Sequence, residues 1–578
     1  LKPFWLETGR RSAVSHRPCE PNCCGLVAEG MMWRFWPFWL NLIFATWQPS
    51  SCQPSKRRNV LFIAVDDMRP TLGAYNFSLA HTPNMDKLAS EGVTFKRAYV
   101  QYAVCSPSRN SFLSGRRPDT TQVWTFSNSF RDPAIGREPQ REWQSLPGYF
   151  REHGYLAFGS GKLYHPGWPY DNDYAKSWSP EEPYFSPECQ PPKCPSSTKL
   201  PNPVEPKCKL RYPKHGKVVV CAADVAANET RKMFQLEDMW IRDNCIKHLR
   251  IAKESGKNFF VGCGFHRPHI PWTAPAEFWD YFPEDVPLAK YPHMPTGMPP
   301  EAYHYPMGGV VGFDNLTYNG TCDPTFSKLY RRAYYASVAY TDYNIGVVLD
   351  ELEALGLKDD TAVLLFGDHG WHLGEFDVWA KLTNFELGVR IPMILRAPWI
   401  ETGKGMVADA LTEAVDFYPT LVELAGLPDP RSQGEELNGT SLVPVLTNPS
   451  TASVKKAAFS QIAKRDRKNP TDANAIFNPH LIEIMGYSVR VQDWRYTAWF
   501  GVTRLHVDFD DVIARELYSH VDDDLDFDSP AETVNVVDDP ANKELVEELH
   551  KMIVNYVQIW PGAVDEDANI TATNVIYT

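Results

Sequence analysis

The chain has 578 residues, with 58 Lys and Arg against 71 Asp and Glu, a net charge of −13 with histidines neutral. At 43% hydrophobic and 13% aromatic residues it can bury a large core, which excludes wholesale disorder and a coiled coil. The acidic balance also argues against a general nucleic-acid binder, whose phosphate contacts need clustered Lys and Arg; a polyanionic partner would need a local basic pocket.

Residues 1–30 read as an upstream extension, or an artefact of the gene model, and carry no fold signal. From Met31 the sequence runs MMWRFWPFWLNLIFATWQPSSCQ. One basic residue, Arg34, precedes an apolar run from Phe35 to Trp47 and then small and polar residues, the pattern of a signal peptide over 31–52. The run is short for a bilayer, and Pro37 and Asn41 interrupt it, so no transmembrane span is expected in the mature chain. Six N-x-S/T sequons (Asn76, Asn228, Asn315, Asn319, Asn438, Asn569) agree with the secretory route. So does the cluster Cys189, Cys194, Cys208 and Cys221, which suits disulfides in an oxidising compartment. Cys221 is expected to bond one of the other three; spacing does not say which.

The first structural signal is Asn59 to Val65, apolar throughout and ending in Asp66-Asp67, as a central parallel strand would. Thr82-Pro83 opens a helix, with Thr as N-cap and Pro at the first position. Strand-like runs follow at Leu156 to Phe158, Phe259 to Cys263, Ala362 to Phe366 and Ile391 to Leu395. Helical patterns lie at Phe326 to Leu355 and Phe417 to Leu424. Alternation of this kind indicates an α/β fold with a large, mixed, mostly parallel sheet flanked by helices, here over 53–455. Ser179 to Pro206, with nine prolines, reads as an irregular surface excursion. Beyond about Lys455 the texture changes. Tyr487 to Val491 and Trp494 to Phe500 alternate around Gln492-Asp493 as an antiparallel hairpin, and a helix from Asn542 to Gln558 follows. Residues 456–578 are thus expected to form a smaller α+β subdomain.

Ligands of open α/β sheets gather at the carboxyl ends of strands. Asp66-Asp67 and Asp368-His369 both close strands, and three carboxylates with an imidazole would repel unless a cation lay among them. Oxygen-rich ligands favour Ca²⁺ or Mg²⁺. Cys105-Ser106-Pro107-Ser108-Arg109 places a cysteine at or just before a helix N-terminus, with Arg109 one turn on. As bare chemistry that is a thiolate at a positive site, an activated nucleophile.

Cys105-x-Pro107-Ser108-Arg109 followed by Leu113-x-Gly115-Arg116 resembles the signature of the type I sulfatases. The resemblance implies an alkaline phosphatase-like fold and a sulfuric ester hydrolase. Cys105 would be converted to formylglycine by the formylglycine-generating enzyme, and Asp66, Asp67, Cys105, Asp368 and His369 would bind a divalent cation, Ca²⁺ by resemblance, with Mg²⁺ not excluded. Its hydrated aldehyde would attack sulfur, and the second hydroxyl would expel sulfate. By motif matching, Arg109 steadies the diol, Lys162 and Lys381 hold sulfate oxygens, His165 accepts the proton that collapses the intermediate, and His266 protonates the leaving oxygen. His269 and His372 are left without a role; Trp124 and Trp371 would pack on a sugar face or in the core.

The stretches RRPDTTQVW (116–124), GKLYHPG (161–167), FHRPHIP (265–271), WAKLTNF (379–385) and MGYSVRVQDWRYTAW (485–499) resemble family members acting on the 2-O-sulfate of iduronate in heparan and dermatan sulfate, in lysosomes or outside the cell. Phe366-Gly367 before Asp368, Phe376 after Glu375 and the Pro-rich loop depart from those relatives, and that loop is a candidate to line the substrate entrance. Three other readings are a sulfatase of another sulfated polysaccharide, a phosphoesterase of the alkaline phosphatase group, and a non-catalytic sulfated-glycan binder. Phosphoesterases of that group place Ser or Thr at the nucleophile and use zinc-type ligation; the binder would lack parts of the site.

Overall fold

The structure, a computed structural model, describes residues 56–132, 142–187, 193–198, 207–214, 217–228, 236–304, 322–467, 478–525 and 531–558. The leader, Cys189, and the sequons at 315, 319 and 569 lie outside the described residues. No helix among the described residues is long and apolar enough to cross a membrane.

In chain order the elements that build the site and its support are β1 (Asn59–Val65), α1 (Pro83–Ser90), β2 (Val93–Phe95), α2 (Cys105–Ser114), β3 (Leu156–Gly161), β4 (Tyr184–Phe185) and β5 (Ser197–Thr198). They continue with α3 (Glu237–Ser255), β6 (Phe259–Phe265), α4 (Pro324–Ala354), β7 (Thr361–Gly367), β8 (Met393–Arg396), β9 (Met406–Ala408) and α5 (Phe417–Leu424). Last come β10 (Ala458–Lys464), β11 (Ile484–Arg490), β12 (Trp494–Thr503), β13 (His506–Ser519) and α6 (Lys543–Gln558).

Among the described residues, nine strands form one sheet in the order β9-β2-β8-β7-β1-β6-β3-β4-β5. β1 pairs in parallel with β7 on one side and β6 on the other, and β3 continues in parallel beyond β6. Only β8 runs against its neighbours β7 and β2. Side chains of β1 alternate between two cores, as a pleated strand requires. Leu61, Ile63 and Val65 face α1, α3 and α4. Val60, Phe62 and Ala64 face α2 and α5. Burial on both faces is the reason β1 reads as an unbroken apolar run.

Three expectations are corrected. The run Ile391 to Leu395 is two strands, because Pro392 has no N–H for a ladder: Arg390–Ile391 pairs with Ala98–Tyr99, and β8 begins at Met393. Thr82 precedes α1 but its hydroxyl does not cap it; Thr82 Oγ1 accepts from Gly73 N–H at 3.0 Å. The Pro-rich excursion is not wholly irregular, since β4 and β5 add to the sheet edge.

Cys221 is bonded to Cys208. A second disulfide, Cys245–Cys263, joins α3 to β6. The C-terminal sheet runs β10-β11-β12-β13, all antiparallel, and α6 packs on β11 and β12. The expected hairpin is its centre, β11 and β12.

Candidate active site

The parallel register of β1 and β7 ends at the pair Val65 and Gly367, so the next residues of each strand meet. Asp368 N–H donates to Val65 O at 3.1 Å, and Asp67 N–H donates to Asp368 Oδ1 at 2.9 Å. Asp67 itself sits at φ 59°, a conformation an L-residue adopts at a cost of order 1–3 kcal/mol. Tyr334 Oη of α4 helps hold it there, donating to Asp67 O at 2.8 Å.

Helix α2 begins at Cys105, two residues before Pro107, and delivers Cys105 and Arg109 to these strand ends. Cys105 Sγ lies 3.4 Å from Asp66 Oδ1, 3.3 Å from His369 Nε2 and 2.8 Å from Lys381 Nζ. Arg109 bridges Asp66 Oδ1 at 3.1 Å and Asp368 Oδ2 at 3.0 Å, and it also donates to the carbonyl of Lys162. Lys162 Nζ reaches Asp66 Oδ2 at 2.5 Å, and Lys381 Nζ reaches Asp67 Oδ1 at 2.6 Å. Lys162 is placed by a close approach of β3 to β6. Gly161 stands at φ +78°, where a Cβ would meet Gly264 O at 2.1 Å, so glycine is required there. Lys381 lies between two residues with positive φ, Ala380 at 79° and Leu382 at 76°.

The expected thiolate does not form. Burial and the neighbouring Asp66 charge push the Cys105 thiol far up, despite Lys381 and Lys162. The carboxylates divide. Burial alone would raise Asp66, but Lys162, His269, Arg109 and Lys381 outweigh it and hold Asp66 well below the usual range. Burial, with Asp66 beside it, pushes Asp67 up to about 6. Burial, with Asp66 and Asp67 nearby, pushes Asp368 up to about 8 in spite of Arg109. His369 is held neutral by burial and by Lys381.

Three cations, Arg109, Lys162 and Lys381, match the three carboxylates in number, yet burial still raises Asp67 and Asp368. The ligand atoms of Asp66, Cys105, Asp368 and His369 lie within 4.8 Å of one another, and buried Asp67 Oδ2 accepts no hydrogen bond. This donor set fits a divalent cation. It fits a hard, oxygen-preferring one better once an oxygen replaces the sulfur of Cys105.

His266 and His269 stack at 4.7 Å above the same carboxylates. His266 Nε2 is 3.9 Å from Asp66 Oδ2, and His269 Nε2 is 3.9 Å from Asp67 Oδ2. His269 was left without a role in the sequence, where nothing in an irregular, Pro-containing turn signals that it would stack on His266. His165 follows Lys162 on the same loop, and its ring packs on Phe126 at 4.7 Å; it is not one of the clustered ligand groups. Trp371 lies under Lys381, 5.6 Å from Nζ to the ring, and Trp124 Nε1 donates to Asp119. Buried His372 bonds Thr383 Oγ1 at 2.9 Å.

The sequence pattern of the sulfatase family matches residues 58–427, which spans every residue of this cluster. The chain belongs to the sulfatase family. Iduronate 2-sulfatase of Mus musculus is 32% identical over 89% of this chain and 98% of its own length; that of Homo sapiens is 34% identical over 80% and 88%. The phosphonate monoester hydrolase SpPMH from Silicibacter pomeroyi shares the fold with a TM-score of 0.62 and 20% identity, over 89% of this chain and 98% of its own. This sulfatase is thus a sulfuric ester hydrolase, and membership implies a formylglycine and a divalent metal at the cluster around Cys105.

Proposed function

We propose that this sulfatase removes the 2-O-sulfate of iduronate from heparan and dermatan sulfate, using formylglycine at position 105 and Ca²⁺, in the lysosome or outside the cell. The observation that carries the reading is the convergence of Asp66, Asp67, Asp368, His369, Arg109 and Lys381 on one side chain, Cys105. The named relatives supply the sugar.

When in place, the hydrated aldehyde supplies an attacking oxygen and a second hydroxyl that a serine lacks, and the cation supplies charge that polarises sulfate. The chain's own residues do the rest. Asp66, Asp67, Asp368 and His369 would hold the cation. Arg109, pinned by two carboxylates, keeps its charge beside position 105. Lys381 and Lys162 hold sulfate oxygens as charge builds on them. His266 gives a proton to the departing sugar oxygen, and His165 takes one from position 105 as sulfate leaves. Cys105 is only 2% exposed, so its conversion by the formylglycine-generating enzyme must precede folding.

Two measurements test this. The peptide carrying residue 105, from protein made in a secretory cell, should show the mass of the aldehyde; an intact, alkylatable thiol overturns the mechanism. Purified enzyme should release sulfate from a disaccharide 2-O-sulfated on iduronate. Release only from one 6-O-sulfated on glucosamine keeps the mechanism and overturns the substrate.

A further inference from the structure

Beyond the residues matched by motif, the first residue of α3 reaches into the site. Glu237 Oε2 lies 2.7 Å from Nδ1 of His266. The next residue, Asp238, accepts the backbone N–H groups of His266 at 2.7 Å and Arg267 at 3.0 Å, which locks the loop against the start of the helix. Side chain and backbone of His266 are therefore held by two consecutive carboxylates of one element. Glu237 is mostly buried, with 18% of its side chain exposed.

We infer that Glu237 is a positioning residue, which holds a proton on Nδ1 of His266 and so favours the doubly protonated ring, whose Nε2–H passes its proton to the leaving oxygen. The inference rests on the role of His266 proposed above. A carboxylate at 2.7 Å from Nδ1 accepts a hydrogen bond from it, which fixes the Nδ1 proton and the ring plane. Nε2 then faces the carboxylate cluster, 3.9 Å from Asp66 Oδ2. In the step, the Nε2 proton moves to the bridging oxygen as the S–O bond breaks. The sugar leaves as an alcohol, and the ring, doubly protonated before the step, is left neutral with Nδ1–H on Glu237.

Arg267 sets the need for Glu237. Its Nη1 lies 2.8 Å from the same Nδ1, and a guanidinium only donates. Arg267 therefore favours a bare Nδ1, and its charge opposes a doubly protonated ring. Glu237 favours the reverse. Without the carboxylate, Arg267 keeps Nδ1 bare, and the neutral ring, with its single proton on Nε2, is a much weaker acid than the doubly protonated one.

General acid help matters in proportion to how poor the leaving group is, which gives a readout that mere structural damage would not produce. Compare the sugar sulfate the enzyme turns over with p-nitrophenyl sulfate, whose phenolate leaves without a proton. Glu237→Gln should lower kcat on the sugar sulfate about tenfold or more, within the range general acids supply. KM should hold, and kcat on the aryl sulfate should fall less than about threefold. Glu237→Asp should show a smaller loss with the same selectivity, and it carries the test if the Gln variant does not fold. Equal losses on both substrates, or no loss on either, overturn the inference. His266→Ala separates the two levels. If it is selective and Glu237→Gln is not, Glu237 alone loses its role; if His266→Ala is not selective either, the acid role of His266 falls first.

Discussion

Lys464 carries an ammonium into the core: it is 1% exposed, donates to Tyr303 O at 2.8 Å and lies 5.8 Å from the Trp499 ring. Burial pulls it from 10.5 down to about 7, although Glu516 and Glu301 act in the other direction. Below pH 7 both folded and unfolded chains hold the proton, so the full cost of burying the charge stands. Between about 7 and 10.5 the folded chain releases the proton before the unfolded one, and the cost shrinks to nothing. Lys464→Met should therefore be more stable than the parent at pH 6, by on the order of a few kcal/mol, each pKa unit being about 1.4 kcal/mol. That gain should fade as pH climbs towards 10, and urea unfolding at three pH values checks it. A gain that does not change with pH would mean that packing, not charge, is responsible. At this scale the sequence was informative where the signal was local. An Asp-Asp and an Asp-His pair at the ends of apolar runs, and a cysteine with an arginine one turn on, announce themselves. The contacts of His269 and Glu237 do not, because they depend on how the loop after β6 folds over the carboxylates and against the start of α3. The Cys105 thiolate was misjudged for a related reason: a positive helix terminus is visible in sequence, whereas the burial and the Asp66 charge that outvote it are not.

Helix α1 shows how one element can complete another. Its first turn is capped by Asp342 of α4, which accepts from Asn84 N at 3.2 Å, Asn84 Nδ2 at 2.7 Å and Met85 N at 2.8 Å. Burial pushes Asp342 up to about 7 even with these donors. Asp342→Ala leaves two N-terminal N–H groups of α1 buried without an acceptor, which should cost about 1–3 kcal/mol. A urea midpoint reads the loss, and kcat per folded molecule should be unchanged because α1 touches none of the proposed catalytic groups. The sequence did signal this helix start, through Thr82-Pro83, but assigned the cap to the local hydroxyl. Long uniform elements were the readable ones. Phe417–Leu424 is helical over the expected residues, and β1, β6 and β7 follow from apolar runs buried on both faces. Two-residue strands such as β4 and β5 carry no periodic signal, so only pairing in the folded sheet reveals them.

On the scale of the molecule, the antiparallel sheet braces the active site from behind. Its first strand, β10, is stitched to the segment that leads into Cys105: Gln461 N–H donates to Gln101 O at 2.9 Å and Ser460 Oγ to Val100 O at 2.6 Å. On the other side, Asn384 Nδ2, three residues past Lys381, donates to Gly486 O of β11 at 3.1 Å. Between these seams lies Glu386, whose carboxylate meets Tyr99 Oη at 2.8 Å, Arg490 Nε at 3.1 Å and Arg390 at 3.6 Å. Burial alone would raise its pKa; Arg490, His520 and Arg390 outweigh it and keep the group charged. Its backbone N–H donates to Glu532, which is itself paired with Arg495 of β12. Glu386→Ala strips the shared anion from this buried array while leaving its arginines in place. Removing one partner of a buried pair costs about 3–5 kcal/mol, far more than the pair adds over an apolar substitute. The variant should lose that much in urea unfolding. The loop carrying Lys381 starts five residues upstream, so kcat should also fall before the global transition, as the seam loosens. A shift below about 1 kcal/mol, the range of exposed ion pairs, would show that the sheet is merely docked on the catalytic body and that the geometry around Cys105 does not depend on it.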